Sequence, residues 1–296
     1  MVNRRAFLGA AAAAGLPGQE PPPRRPRPVV CLFSEHLAKL HYTELGAVLH
    51  QLGFDGCDLT VRKGGHVLPE MAPVDLVRAV ECIRDEGVEV PMITTDLTSA
   101  TEPWARNVLG LAGQQYMRVP YFQPGYYRYG PGPIESQLAA VRRDLAGLVM
   151  LGRAYGIAAG FHNHSGDYVG EAVWDIREII REMDPRWIGY YFDPCHATVE
   201  GGDGGWQIAL RLALDRLKMV AVKDFYWEKS GGRWTRRMCP LGEGMVEWPR
   251  IFAALAQAGF AGPLSLHIEY NPVDELPAIA RDLAWLRKQV VAAWGA

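Results

Sequence analysis

Three apolar runs in the sequence end in side chains able to hold a cation and move a proton. Residues 157–161 lead into His162-Asn163-His164, residues 188–192 into Asp193-Pro194-Cys195-His196, and residues 264–268 into Glu269. A fourth run, 218–222, ends in Lys223-Asp224. Side chains alternate along a strand, so residues two apart share a face. His162 therefore points with His164, Lys223 with Met219 and Ala221, and Glu269 with Ser265 and His267. With those faces turned to one centre, His162, Asp193 and Glu269 supply one imidazole and two carboxylates. That mixed nitrogen and oxygen set suits Mn²⁺, Co²⁺, Fe²⁺ or Mg²⁺ with positions left for substrate, so a divalent metal ion is the expected cofactor. No thiolate joins the set, which speaks against a closed structural zinc site.

Proton transfer needs further groups. Glu269 is one, and His164 is a second because an imidazole ordinarily titrates near 6.5. Lys223 could act as an acid or as an electrostatic clamp on an enolate oxygen, or simply pair with a carboxylate. His196 could ligate the metal or bond a substrate hydroxyl beside it. Arg62 and His66, in the run 58–66, and Asp224 complete the expected substrate contacts; surface cations remain the plainer reading of the first two. His267 reads best as a satisfied core histidine. Tyr121, Phe122, Tyr126, Tyr127, Tyr129, Trp227 and Trp234 could form stacking walls for a sugar or ordinary loop packing. No Ser-His-Asp or Cys-His nucleophile pattern has support, and the five scattered cysteines read as small buried residues.

These groups need a scaffold that brings several strand ends together. From residue 28 onward one unit recurs: a β-rich run, polar residues at its end, then an amphipathic segment. The runs are 29–33, 56–61, 90–95, 116–119, 157–161, 188–192, 218–222 and 264–268. Helices are expected over 42–52, 73–86, from about 103, then over 134–155, 174–183, 206–217, 248–258 and 274–291. A long insertion follows the seventh run, and Gly201-Gly202-Asp203-Gly204-Gly205 reads as a flexible loop. Eight strand–helix units predict a single-domain α/β fold, a (β/α)8 TIM barrel, whose chemistry sits at the carboxyl ends of its strands. A doubly wound sheet lacks its glycine-rich turn after the first strand.

Hydrophobic residues make up 49% of the 296, enough for a large core. A formal net charge of -2 gives no electrostatic case for nucleic acid. Asn3-Arg4-Arg5 before Ala10–Ala14 looks like a twin-arginine export signal over residues 1–18, followed by a Pro/Arg-rich linker over 19–28. An exported, periplasmic chain is the expectation. The apolar part is too short to cross a bilayer, and the mature chain has no membrane span.

The motifs Gly160-Phe161-His162-Asn163-His164, Tyr191-Phe192-Asp193-Pro194-Cys195-His196, Val222-Lys223-Asp224, Pro240-Leu241-Gly242-Glu243-Gly244 and Leu266-His267-Ile268-Glu269-Tyr270 carry a resemblance. The chain resembles the sugar isomerase/epimerase family of xylose-isomerase-like barrels. The resemblance implies a small-molecule sugar or sugar derivative as ligand and a divalent metal held by Glu, Asp, His and Glu on strands five to eight. Asp193 and Glu269 match that pattern, and His196 matches a substrate-contacting histidine. His162 stands in place of the first glutamate and Ala221 in place of the histidine. The implied chemistry is proton abstraction next to a carbonyl, by an isomerase/epimerase or by a lyase on a keto-glycoside. A non-catalytic carbohydrate-binding barrel is the alternative from another class.

Overall fold

The computed structural model describes residues 26–114 and 117–295. Every residue of β1 (Val30–Phe33), β2 (Gly56–Val61), β5 (Ala158–His162) and β6 (Ile188–Phe192) is buried. Parallel strands covered on both faces require this. With β3 (Glu89–Thr95), β4 (Tyr121–Gln123), β7 (Leu217–Val222) and β10 (Leu264–Leu266) they form a closed parallel barrel. Val30 pairs with Leu264, and Leu264 with Val220, which closes the ring. Its outer layer is α1 (Tyr42–Leu52), α2 (Ala72–Asp85), α3 (Ala105–Ala112), α4 (Ile134–Tyr155), α5 (Val173–Ile180), α6 (Pro194–Ala213), α7 (Trp248–Gln257) and α8 (Glu275–Trp294). The expected TIM barrel is the observed fold.

Three local expectations are corrected. The fourth strand is Tyr121–Gln123, not residues 116–119, and Tyr116 lies outside the described residues. Pairing starts beyond Pro120, whose carbonyl accepts from the Ala158 N–H at 2.8 Å. The sixth helix begins at Pro194, directly after β6, instead of near Trp206. Asp193 caps it by accepting the His196 backbone N–H at 3.0 Å, with Pro194 at the first turn. The glycine run is therefore no free loop. It lies within α6, broken at Gly202, where φ 58° and ψ -154° leave the helical region.

The insertion after β7 folds as an antiparallel hairpin of β8 (Asp224–Ser230) and β9 (Arg233–Cys239). Its turn is Gly231-Gly232, with φ of 56° and 78°, the doubly positive pair that a tight two-residue hairpin needs. Inside the barrel, Met92, Tyr191, Met219 and Ala221 form a small apolar layer. A Cβ at position 160 would sit 2.1 Å from Met219 Cε, so Gly160 makes room for that methionine. Among the described residues no helix is long and apolar enough to cross a membrane.

Candidate active site

Strands β5, β6, β7 and β10 deliver their terminal side chains to one point. Lys223 follows β7, and its Nζ lies 2.8 Å from Glu269 Oε1 and 3.2 Å from Asp193 Oδ2. Lys223 is 2% exposed and Asp193 is fully buried, whereas the Glu269 side chain keeps 35% exposure. His162 Nε2 lies 3.2 Å from the same Asp193 oxygen, and His196 Nε2 lies 3.5 Å from it. The spacing argument thus brought together the intended residues, but around an ammonium group.

The protons on the imidazoles follow from their partners. Burial disfavours charge on Asp193, yet His196, Lys223 and the His162 hydrogen bond hold its carboxyl well below the usual range. An ionised carboxylate only accepts, so His162 donates through Nε2 and takes the Tyr126 hydroxyl on Nδ1 at 2.7 Å. Burial lowers the His162 pKa despite Asp193. His164 donates from Nδ1 to the Ser165 carbonyl at 2.9 Å, which leaves its lone pair on Nε2. Burial, then His162 and Lys223, lower its pKa to about 4. Burial opposes charge on Lys223, but Asp193 and Glu269 keep it an ammonium well above the ordinary lysine value. Burial likewise opposes charge on Glu269, and Lys223 and His267 overcome it, holding the carboxylate ionised.

Several further groups support the site, of which Ser165, Arg236 and Thr94 carried no separate signal in the sequence. Tyr126 comes from the loop after β4, and its ring lies 5.2 Å from that of His164. Ser165 Oγ lies 2.8 Å from His196 Nδ1 and accepts from Arg236, which β9 carries in from the hairpin. Beneath the site, His267 Nδ1 faces Glu269 Oε1 at 3.3 Å and His267 Nε2 faces the Tyr191 hydroxyl at 3.1 Å. Tyr191 lies 3.4 Å from Asp58 Oδ2, and Ser265 and Thr94 each donate to Asp58 at 2.7 Å. His267 is therefore the satisfied interior histidine expected of it. Phe33 stacks on its ring at 4.6 Å.

The expected substrate contacts divide. His196 lies in the centre. His66 has both ring nitrogens engaged, Nε2 with the Leu37 carbonyl at 3.1 Å and Nδ1 with Thr60 Oγ1 at 3.1 Å. Arg62 pairs with Glu35 at 2.7 Å and lies over the Phe33 ring, at the rim. Asp224 points into its own loop and accepts backbone N–H groups of Phe225, Gly242 and Val246 at 2.9–3.2 Å. Its carboxylate fastens the Pro240–Gly244 motif. Glu269 and His36 open onto a cavity of about 420 Å³ bounded also by Glu35, Asn271 and Glu275.

Residues 47–289 match the family described as xylose isomerase-like TIM barrel. The chain belongs to that family. Its barrel is similar to the solved structure of an L-ribulose 3-epimerase (16% identity, TM-score 0.69, covering 90% of this chain and 95% of that one). It is also similar to a 3-keto-D-glucoside 4-epimerase from E. coli (15%, 0.67, 88% and 100%). A third likeness is to a probable 3-DHS dehydratase from Bacillus anthracis involved in petrobactin synthesis (14%, 0.69, 88% and 98%). No curated protein sequence matches the chain.

The metal implied by membership of the xylose isomerase-like family does not fit the residues present. Both ring nitrogens of the neutral His162 are committed, Nε2 donating its proton to Asp193 and Nδ1 accepting from the Tyr126 hydroxyl. The strand-seven position of a ligating imidazole is Ala221, packed within the apolar layer. Lys223 Nζ bridges the two carboxylates that would have to approach an ion. Among the described residues no three His, Cys, Asp or Glu side chains converge as a metal-holding group. In the expected triad of His162, Asp193 and Glu269, His162 meets Asp193 directly, and the lysine ammonium lies between the two carboxylates.

Proposed function

We propose that this chain is an enzyme acting on a sugar or sugar derivative by removing a proton next to a carbonyl. The observation that carries this reading is the Lys223 ammonium held 2.8 Å from the part-exposed Glu269, at the strand ends of a barrel. The epimerases and the probable dehydratase among similar structures support it at the level of fold.

A substrate carbonyl or hydroxyl oxygen beside Lys223 meets a fixed positive charge in a water-poor setting, where such a charge stabilises developing enolate best. Glu269 or the Nε2 lone pair of His164 takes the α-proton, and the C–H electron pair becomes the C=C bond of the enolate. Return of a proton to the same carbon gives exchange or epimerisation. Collapse of the enolate with departure of a β-substituent gives elimination, with the leaving oxygen protonated by the same group that took the α-proton. Lys223 serves as ammonium throughout, because a nucleophilic Schiff-base lysine needs the opposite shift.

The lyase form is a second reading, favoured by the unlike pair of proton carriers, one carboxylate and one imidazole. Two-base epimerisation in the family pattern uses two glutamates, and His162 stands where one of them would be. The test is incubation in D₂O with free ketoses and with 3-keto-glycosides. Deuterium entry next to the carbonyl at constant substrate mass supports the isomerase/epimerase form. Release of an aglycone supports the lyase. Neither exchange nor release across the panel overturns the enzymatic reading in favour of a carbohydrate-binding barrel. We also propose export by the twin-arginine route, from Arg4-Arg5, which lie outside the described residues. Retention of Arg4→Lys plus Arg5→Lys in the cytoplasm supports it, and an unchanged location overturns it.

A further inference from the structure

We infer that the Lys223 ammonium stands in the place of the divalent ion, so that this chain works without a metal. The proposal rests on the enolate reading for its catalytic content, whereas its ion-binding content stands independently.

The geometry carries it. A cation held between Asp193 and Glu269 is already present, covalently, at 3.2 and 2.8 Å from their oxygens. The contact to Glu269 is a direct charge-assisted hydrogen bond and that to Asp193 a close ion pair, and together they leave no room for an ion between the partners. The lysine is 2% exposed, so its charge depends on those carboxylates, and theirs on it. A divalent ion would have to displace the ammonium from Asp193 and Glu269, its only ion-pair partners among the described residues. The neighbouring positions agree. Ala221 is 0% exposed, and Met92, Tyr191 and Met219 fill the space around it that an imidazole would need. His162 is locked by Tyr126 on one side and Asp193 on the other. His196 Nε2 is buried without a hydrogen-bond partner, but it faces the Asp193 oxygen that Lys223 already holds. A lone ammonium supplies one unit of charge and three donors in place of a dication. One donor goes to Glu269 and the ammonium faces Asp193 as an ion pair, leaving donor capacity for the substrate oxygen.

The test measures ion binding by the full chain, apart from catalysis. Wild-type protein is incubated with excess Mn²⁺ or Mg²⁺, desalted, and analysed for bound metal, and its unfolding midpoint is read with and without the ions. Fewer than about 0.1 ion per chain and an unmoved midpoint are expected, since an ion that does not bind the native state cannot stabilise it. One bound Mn²⁺ per chain with a raised midpoint overturns the proposal. Lys223→Ala frees the two carboxylates and is expected to gain a Mn²⁺-dependent rise in midpoint that the wild type lacks. Equal responses in both proteins overturn it, and if the variant does not fold the wild-type measurement decides alone. Where the D₂O assay gives turnover, EDTA is expected to leave the rate unchanged. A silent D₂O assay removes the sugar chemistry and leaves the ion measurements as they stand.

Discussion

At the scale of single residues, the site assigns unlike tasks to its histidines by fixing where each proton sits. His164 keeps a free Nε2 and a pKa lowered to about 4. If it is the base, kcat/KM falls away only below about pH 5, instead of near the ordinary imidazole value. The pH–rate profile checks this, and a limb near 6.5 would remove His164 from that role. His164→Gln is expected to lower kcat by about 10²–10⁴-fold while the fold persists. Ala221→His, which the family pattern suggests as a repair, is expected to cost about 1–3 kcal/mol by overpacking, with no gain in metal affinity. Chemical unfolding and a metal titration measure the two parts. The strand-end residues were legible because alternation groups the residues of each strand by face, and a barrel with those faces turned inward brings 162, 193, 223 and 269 together. Their depth was not. Two residues share a face whether they lie in the filled layer, like Ala221, or in the site, like Lys223.

At the scale of elements, helices with regular apolar spacing were readable to within a residue or two, as α1 and α4 show. The fourth strand was misplaced because only Tyr121–Gln123 pair, too few residues for a periodic signal. The hairpin escaped because β8 and β9 are largely exposed and carry mixed polar residues in place of alternation. Its position gives it a task, since Arg236 on β9 reaches Ser165, which in turn holds His196. Gly232→Val forces a branched side chain to φ 78° at the turn, at a cost of about 1–2 kcal/mol. The expected outcome is faster amide exchange confined to residues 224–239, an unmoved global unfolding midpoint and a lower kcat/KM. Unfolding of the whole barrel in step with the hairpin would contradict this.

At the scale of the whole molecule, buried titrating groups set how stability responds to acid. His36, His164 and His267 all have pKa values lowered to about 4, in each case with burial as the first cause. Unfolded, they bind protons near 6.5, so the unfolded chain holds more protons between about 6.5 and about 4. Their contribution is full above that window and is lost as pH falls through it, by at most about 1.4 kcal/mol per pH unit for each. Asp58 works the other way. Burial raises it to about 6 against hydrogen bonds from Thr94, Ser265 and Tyr191. Its contribution is present in acid and lost as pH rises through about 6. Asp58→Asn is therefore expected to steepen the acid loss, measured by urea unfolding between pH 4.5 and 7. An unchanged slope would mean that Asp58 keeps an ordinary carboxylate pKa in the folded chain.

The contacts from Glu269 through His267 and Tyr191 to Asp58 and Thr94 join the reactive rim to the interior of the barrel. The filling of the barrel is thus also wiring. A change at Thr94, buried and four links from the rim, alters how firmly Asp58 keeps its proton, and so the electron density offered to Glu269. Selection can in this way adjust the working pH of the enzyme from underneath, leaving every substrate-facing surface untouched. Thr94→Val is expected to move the pH profile while KM stays constant.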